Sequence, residues 1–137
     1  MAGAELRLDP VPNSVPTARR WLREALEFDG RVNVDIACLL LSELVTNALL
    51  HARTQLTVCA IDNGDAVRVV VIDSGDPPAR GYASLVDATG RGLDIVSSLA
   101  DAWGIEPNGD DTPGTTAWFE LNRLTHATVA ARGDRSA

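Results

Sequence analysis

The stretch that decides the fold is residues 39–52, which read LLLSELVTNALLHA. Its apolar residues run nearly all the way round a helix, and a helix of that kind is buried in a core. Glu43, Asn47 and His51 nonetheless recur every fourth residue, so they form one polar stripe along it. A buried carboxylate is costly unless its charge is compensated, and Glu43 has no basic residue three or four positions away. The stripe favours a ligand, a metal ion or a water beside the helix, with a purely structural stripe as the alternative.

The composition indicates one aliphatic domain that does not use lysine chemistry. The chain has 137 residues, of which 45% are hydrophobic and 4% aromatic, enough for a single core. All 12 basic residues are arginine, so a P-loop lysine and a Schiff-base lysine are both excluded. The formal net charge of −7 argues against direct nucleic-acid binding and is compatible with docking to a basic protein surface.

The sequence also predicts a cytoplasmic location. No apolar run approaches the ~20 residues that span a membrane, and the N-terminus lacks a secretory pattern. Cys38 lies on the apolar helix and Cys59 in a predicted strand; without metal-ligand spacing, both are expected to be reduced core residues. We therefore expect no membrane contact and no zinc site.

The periodicity of the whole sequence predicts three helices and four strands. The Asn63-Gly64 pair between two strand patterns is a strong hairpin signal. This order favours an α/β two-layer sandwich, with a mixed, mostly antiparallel sheet and helices on one face. Residues 1–122 should form the domain and residues 123–137 a disordered tail. The predicted elements are a strand (5–8), a helix capped by Ser14 and reaching Leu26, a helix (34–51), strands (56–61 and 66–72), a helix (92–103, with Leu93, Val96, Leu99 and Ala100 inward) and a strand (115–121).

Three further features lie at the ends of predicted elements, where ligands usually bind. Asp73 ends a valine-rich strand; it is either a plain turn aspartate or a carboxylate that accepts a hydrogen bond from an amino group, such as that of adenine. The segment 90–93, GRGL, begins a helix, and backbone N–H groups at a helix N-terminus bind phosphate readily. Thr115 and Thr116 lead into the last strand and carry little information alone.

Together these segments resemble the GHKL superfamily of ATP-binding domains, and within it the small anti-sigma-factor serine kinases of bacteria, in their actinobacterial branch. Residues 42–51 are similar to the N box of that family, residues 73–75 to its first glycine box and residues 90–96 to its second. Residues 115–121 are similar to its terminal strand. The resemblance covers about residues 10 to 121, and it implies the Bergerat-type fold, an open sandwich with ATP between the helices and a mobile lid.

The resemblance also implies roles for the polar stripe. Glu43 would be the catalytic base or would position the attacking group near the γ-phosphate. Asn47 would ligate Mg²⁺, which prefers oxygen ligands. His51 would lie close to the phosphates, where the family often has a basic residue.

The other matching segments would hold the rest of the nucleotide. Asp73 would bind the adenine amine, Gly75 would permit close approach, and Thr116 would help to hold the base. The implied phosphate contacts are Gly90, Arg91, Gly92 and Leu93.

The implied function is that of an anti-sigma factor that binds ATP and Mg²⁺, sequesters a sigma factor and phosphorylates a serine on an anti-sigma factor antagonist. A non-catalytic nucleotide-binding module that acts through protein binding alone is the alternative. It is favoured by Pro77, where the family has a glycine, and by Thr115, where relatives often have lysine. The catalytic domain of a histidine kinase is a weaker alternative, because no dimerisation helix carries a histidine. Relatives of this type often dimerise, so a homodimer is also expected.

Overall fold

A computed structural model describes residues 3–27, 29–75, 91–109 and 111–124. In that part of the chain, three helices pack on one face of a five-stranded sheet. The elements are β1 (Gly3–Leu8), α1 (Ser14–Leu26), α2 (Val34–His51), β2 (Leu56–Asp62), β3 (Ala66–Asp73), α3 (Arg91–Leu99), β4 (Ala102–Pro107) and β5 (Thr115–Asn122). The two-layer α/β sandwich expected from the sequence is therefore confirmed.

The sheet has the strand order β1-β2-β3-β5-β4, and each neighbouring pair is antiparallel. A mixed, mostly antiparallel sheet was expected, and no parallel pair occurs among the strands described. The hairpin between β2 and β3 is the one that the Asn63-Gly64 pair predicts. Gly64 has a φ of +81°, which glycine adopts without strain, and its N–H donates to the Asp62 carboxylate at 2.9 Å.

Helix α2 is the centre of the helical layer because it packs against both α1 and α3. Its first turn is fixed by Asn33, whose side chain accepts a hydrogen bond from the N–H of Ile36 at 3.1 Å. Leu40, Leu41 and other core side chains of α2 are fully buried, each contributing roughly 1.5–3 kcal/mol. By length and hydropathy alone α2 could cross a membrane, but half of it is buried inside the domain, as in a core helix.

The start of α1 differs from the prediction, which made Ser14 its N-cap. Asn13 holds the capping position, with helical backbone angles and no side-chain cap bond. Ser14 is the first helical residue, and its hydroxyl donates to the carbonyl oxygen of Asp9 at 2.6 Å. The side chain therefore fixes the turn between β1 and α1 and does not cap the helix.

The third helix is shorter than predicted, because the chain turns back into the sheet. Leu93 and Val96 are buried as expected, but α3 ends at Leu99, which is 41% exposed and does not point inward. The N–H of Asp101 donates to the carbonyl oxygen of Glu120 at 2.9 Å, which starts the pairing of β4 with β5. Strand β4, absent from the prediction, therefore forms an edge of the sheet.

The opposite face of the sheet, away from the helices, carries the indole of Trp118. The guanidinium of Arg68 lies 4.0 Å from the ring centroid and also pairs with Glu120 at 2.7 Å. On the neighbouring strand, a Cβ added at Gly104 would lie 2.7 Å from the indole nitrogen. Glycine at this position therefore lets the indole lie flat across β4 and β5.

Arg123, which the sequence assigned to the tail, is held firmly against the domain. Its side chain is 7% exposed and pairs with Asp29 and Asp62, each at 2.8 Å. It also donates to the carbonyl oxygen of Gly64 at 2.5 Å, and the next N–H, that of Leu124, donates to the carbonyl oxygen of Arg31 at 3.0 Å. Residues 125–137 lie outside the described residues, so disorder of the tail stays a prediction.

Candidate functional site

A cavity lies between the C-terminal half of α2 and the ends of strands β3, β4 and β5. Its walls are partly apolar, formed by side chains such as Val71, Ile105 and Ala117. Its polar lining comes from Asn47, His51, Asp73 and Thr115. Its volume in this structure is about 20 Å³, enough for one water molecule, so the polar groups converge on a space smaller than a nucleotide.

The polar stripe of α2 runs from the surface into this cavity. Glu43 is half-buried and does not line the cavity, whereas Asn47 is 7% exposed and both Asn47 and His51 line it. Because a helix rises 1.5 Å per residue, Glu43 and His51 are about 12 Å apart along its axis. No arginine in the described part of the chain pairs with Glu43, so the purely structural alternative gains no support there from an ion pair.

Two side-chain atoms of this stripe are buried without a hydrogen-bond partner among the described residues. They are Oδ1 of Asn47 and Nε2 of His51, and both residues line the cavity. An unpaired buried polar atom costs about 1–3 kcal/mol, so a folded protein rarely keeps one without a reason. Two such atoms beside one cavity mark it as a place where a ligand or an ordered water can bind.

Asp73, the last residue of β3, is 8% exposed and fixed by backbone contacts. Its Oδ1 accepts hydrogen bonds from the N–H groups of Gly75 at 3.1 Å and Thr115 at 3.2 Å. Burial raises the pKa of this carboxyl, and the two N–H donors and the nearby His51 oppose the rise. No described residue donates to Oδ2, so this oxygen can accept a hydrogen bond from a ligand amino group.

Two glycines allow the backbone to pass closely around Asp73. A Cβ at Gly75 would lie 2.8 Å from the carbonyl oxygen of Ala52, at the end of α2. Gly114 has a φ of +108°, and a Cβ there would overlap the carbonyl of Asp73. The sequence predicted that Gly75 permits a close approach. In this structure the close approach is between Gly75 and the backbone at the end of α2.

Thr116 lies on the face of β5 away from the cavity, and Thr115 is the residue that lines it. The hydroxyl of Thr116 donates to Oδ1 of Asn108 at 2.6 Å. The amide of Asn108 in turn donates to the carbonyl oxygens of Asp73 at 2.8 Å and Pro113 at 3.1 Å. Thr116 therefore supports the backbone of Asp73 through Asn108, a residue that the sequence reading missed. The alternation of β5, in which Ala117 is buried, was the signal that could have placed Thr115 in the cavity.

The second glycine box is described only in part. Gly90 lies outside the described residues, and Arg91 and Gly92 begin α3. Leu93 is 3% exposed and belongs to the hydrophobic core, so its side chain does not face the cavity. The phosphate contacts implied for this segment stay a prediction, with the helix N-terminus as their physical basis.

A family model of the histidine kinase-like ATPase domain matches residues 8–119. This chain belongs to that family. Domains of the family bind ATP, generally together with Mg²⁺. A search of curated proteins found no match.

Two solved structures resemble this ATPase domain. One contains the RsbU and RsbW domains of Rv1364c from Mycobacterium tuberculosis, with 24% identity and a TM-score of 0.63. The match covers 90% of this chain and 33% of that one, so the present chain spans about a third of its length. The other is the catalytic domain of the histidine kinase ThkA, with 19% identity, a TM-score of 0.50 and coverage of 90% and 98%. At these identities, the likeness shows the fold alone.

The residues of the cavity fit an ATP·Mg²⁺ ligand chemically. Oδ1 of Asn47 is an unpaired amide oxygen, and Mg²⁺ in proteins takes oxygen ligands. Oδ2 of Asp73 can accept a hydrogen bond from the amino group of adenine. The lining also includes apolar side chains such as Val71 and Ala117, which a base bound beside Asp73 would contact.

Proposed function

We propose that this protein is an ATP-dependent anti-sigma factor of the serine-kinase type. It would sequester a sigma factor and transfer the γ-phosphoryl group of ATP to a serine of an anti-sigma factor antagonist. The observation that carries nucleotide binding is the pair of unpartnered polar atoms, Oδ1 of Asn47 and Nε2 of His51, beside Asp73. The family match and the structural likeness to a chain with an RsbW domain support the choice of kinase class.

Each polar residue of the site has a separate task in this proposal. Asp73 holds the base, and Asn47 provides an oxygen ligand for Mg²⁺, which neutralises charge on the phosphates when bound. Glu43 lies nearer the surface, where a serine of a partner protein can reach it. There it accepts the hydroxyl proton as the serine oxygen bonds to the γ-phosphorus and ADP leaves.

The charge of the chain suggests how the reaction ends the interaction with the antagonist. With a formal net charge of −7, the protein favours a partner surface that is basic. Phosphorylation adds a charge of about −1.5 to −2 to the antagonist. Repulsion between like charges would then release the phosphorylated antagonist. A cytoplasmic location and a homodimer belong to the same proposal.

A non-catalytic nucleotide-binding module is the second candidate. Thr115 lines the cavity where relatives often have lysine, so this position supplies no positive charge to the nucleotide. Pro77 replaces a glycine of the first glycine box and lies outside the described residues. Such a module would bind ATP and its partner protein but transfer no phosphoryl group.

Phosphoryl transfer from radiolabelled ATP to a candidate antagonist separates the two functions. We expect labelled phosphoserine with the wild type and a loss of about 10²–10⁴-fold in rate with Glu43→Gln. Thr46→Ala is the matched control, because Thr46 is an exposed α2 residue that does not line the cavity. ATP binding without transfer would support the non-catalytic module, and absence of ATP binding would refute both candidates.

A further inference from the structure

The strip of the α2 surface that holds Glu43 also carries two exposed leucines. Leu39 is 40% exposed and Leu50 is 59% exposed, although α2 is otherwise a core helix. Successive residues of a helix are about 100° apart, so both leucines lie within ~40° of Glu43 around the axis. Along the axis, Leu39 lies about 6 Å before Glu43 and Leu50 about 10 Å after it. The proposed catalytic base therefore lies between two exposed apolar side chains.

A groove beside Leu50 extends this apolar surface from α2 onto α1 and the turn that precedes α1. Its volume is about 300 Å³. The groove is lined mainly by apolar side chains, which include those of Pro10, Pro12, Val15, Leu49 and Leu50. Contiguous exposed apolar surface on a soluble domain marks a site that binds another molecule, and a groove of this kind receives an apolar side chain of a partner protein.

One positive charge borders the strip at the end near Leu39. The carbonyl oxygen of Arg19, on α1, accepts a hydrogen bond at 3.5 Å from Sγ of Cys38, the residue before Leu39. The Arg19 side chain is exposed, and no carboxylate in the described ranges pairs with it, whereas Arg23 pairs with Asp35 at 2.9 Å. Charge complementarity therefore favours an occupant that has a carboxylate at this end of the strip.

We infer that the strip from Leu39 to Leu50 is the docking site for the serine-bearing segment of the antagonist, with the serine at Glu43 and an apolar side chain in the groove. The inference rests on the proposed function and adds to it the sequence around the serine that the kinase selects. An extended chain advances ~3.3 Å per residue, so the ~10 Å from Glu43 to Leu50 corresponds to about three residues. The substrate therefore carries an apolar residue at the third position from its serine. On the other side, about two residues away, it carries a carboxylate that pairs with Arg19.

Peptide substrates of known sequence test this selection. The reference peptide has a central serine, with glutamate at the second position and leucine at the third position on each side. Replacing both leucines by alanine should lower kcat/KM about tenfold, mainly through a higher KM, because the apolar contact with the groove is lost. The KM for ATP should not change. Equal kcat/KM values for the two peptides would overturn the inference.

Leu50→Gln removes the same contact from the side of the kinase. The KM for the reference peptide should rise about tenfold. The kcat, the ATP affinity and the Tm of the ligand-free protein should stay at their wild-type values, because the Leu50 side chain is mostly exposed. Leu99→Gln is the matched control, since Leu99 is 41% exposed on α3 and lines neither the groove nor the cavity. An equal rise of the peptide KM in both variants would contradict docking at the groove.

Arg19→Glu tests the charge at the other end of the strip. The wild type should phosphorylate the reference peptide with a higher kcat/KM than a peptide in which arginine replaces both glutamates. Arg19→Glu should reverse this order, because the like charges then repel. An unchanged order would place the substrate elsewhere and overturn the inference.

Other occupants of the strip give different results. If Leu50→Gln converts a dimer into a monomer in sedimentation and leaves the peptide KM unchanged, a second copy of the chain covers the strip and the inference fails. If the wild type phosphorylates a candidate antagonist but no peptide, the inference fails while the proposed function stands. If the wild type does not bind ATP, the proposed function fails first.

Discussion

Asn47→Ala should make the ligand-free protein more stable while removing Mg²⁺-dependent nucleotide binding. Oδ1 of Asn47 is buried without a partner among the described residues, and relieving such a group returns about 1–3 kcal/mol. Truncation also forfeits packing and enlarges the adjoining cavity, at a cost of about 1 kcal/mol. The net expectation is a gain of about 1 kcal/mol in the free energy of unfolding, or about 3 °C in Tm.

Asn108→Ala is the matched control, since it truncates the same residue type beside the same segment. The Asn108 side chain makes hydrogen bonds to Asp73, Pro113 and Thr116. Their loss should destabilise the protein by about 3 kcal/mol, at about 1 kcal/mol for each bond. The free energy of unfolding should therefore rise for Asn47→Ala and fall for Asn108→Ala, although both substitutions truncate an asparagine near the cavity.

Urea unfolding with chelator and without nucleotide measures the free energy of unfolding of both variants. If this free energy falls with urea concentration at the same slope in each variant and the wild type, their unfolded states are comparable. A second series with ATP and Mg²⁺ should raise Tm for the wild type and Asn108→Ala, because a ligand that binds only the native state stabilises it. Asn47→Ala should show no Mg²⁺-dependent increment. If Asn47→Ala instead loses 1 kcal/mol or more without ligand, Asn47 is a structural amide and the reasoning from its unpaired oxygen is wrong.

Further predictions follow from the charged groups. Glu43→Ala should leave the ligand-free stability and the ATP affinity nearly unchanged, because Glu43 is half-buried without a described partner. Thermal denaturation and an ATP titration measure the two quantities. A large loss of stability would contradict the catalytic assignment of Glu43. Arg123→Ala should lower the free energy of unfolding in urea by about 3 kcal/mol, since it strands the carboxylates of Asp29 and Asp62; a change within ±0.5 kcal/mol would show that solvent satisfies them. Because the pKa of Asp73 is raised in the folded protein, its protonated carboxyl group contributes to stability. This contribution is complete below the ordinary pKa of 3.8 and is lost as the pH rises through the pKa of the folded state. Asp73→Asn should therefore flatten the pH dependence of Tm just above pH 3.8, and an unchanged profile would refute this.

The elements predicted best are those whose signals are local. The apolar circumference of α2 and the Asn63-Gly64 turn each specify their structure within a few residues, and both are found as predicted. Strand β4 was missed because β5, its partner among the described strands, follows later in the chain and its six residues include Gly104 and Pro107. A strand defined by a distant partner leaves little trace in its own periodicity.

The site shows the same division between local and distant information. The i, i+4 spacing places Asn47 and His51 on one side of α2, and the structure brings both to the cavity. Thr116 was assigned in place of Thr115 because one residue of strand register reverses the face. The sequence predicted that Glu43 is buried, but the residue is only half-buried. The spacing of residues along a helix does not say which parts of the helix the neighbouring elements leave exposed to solvent.

The interior position of β5 has a consequence for biosynthesis. It is the last described strand in the chain, yet it lies between β3 and β4 and hydrogen-bonds to both. During translation, β3 therefore keeps one open edge until about residue 122 has left the ribosome, and open edges recruit chaperones or other chains. Thr115 and Ala117 also form part of the cavity wall, so a nascent chain cannot complete the cavity earlier. Nucleotide added to a translation reaction should protect the chain from protease only after β5 has emerged.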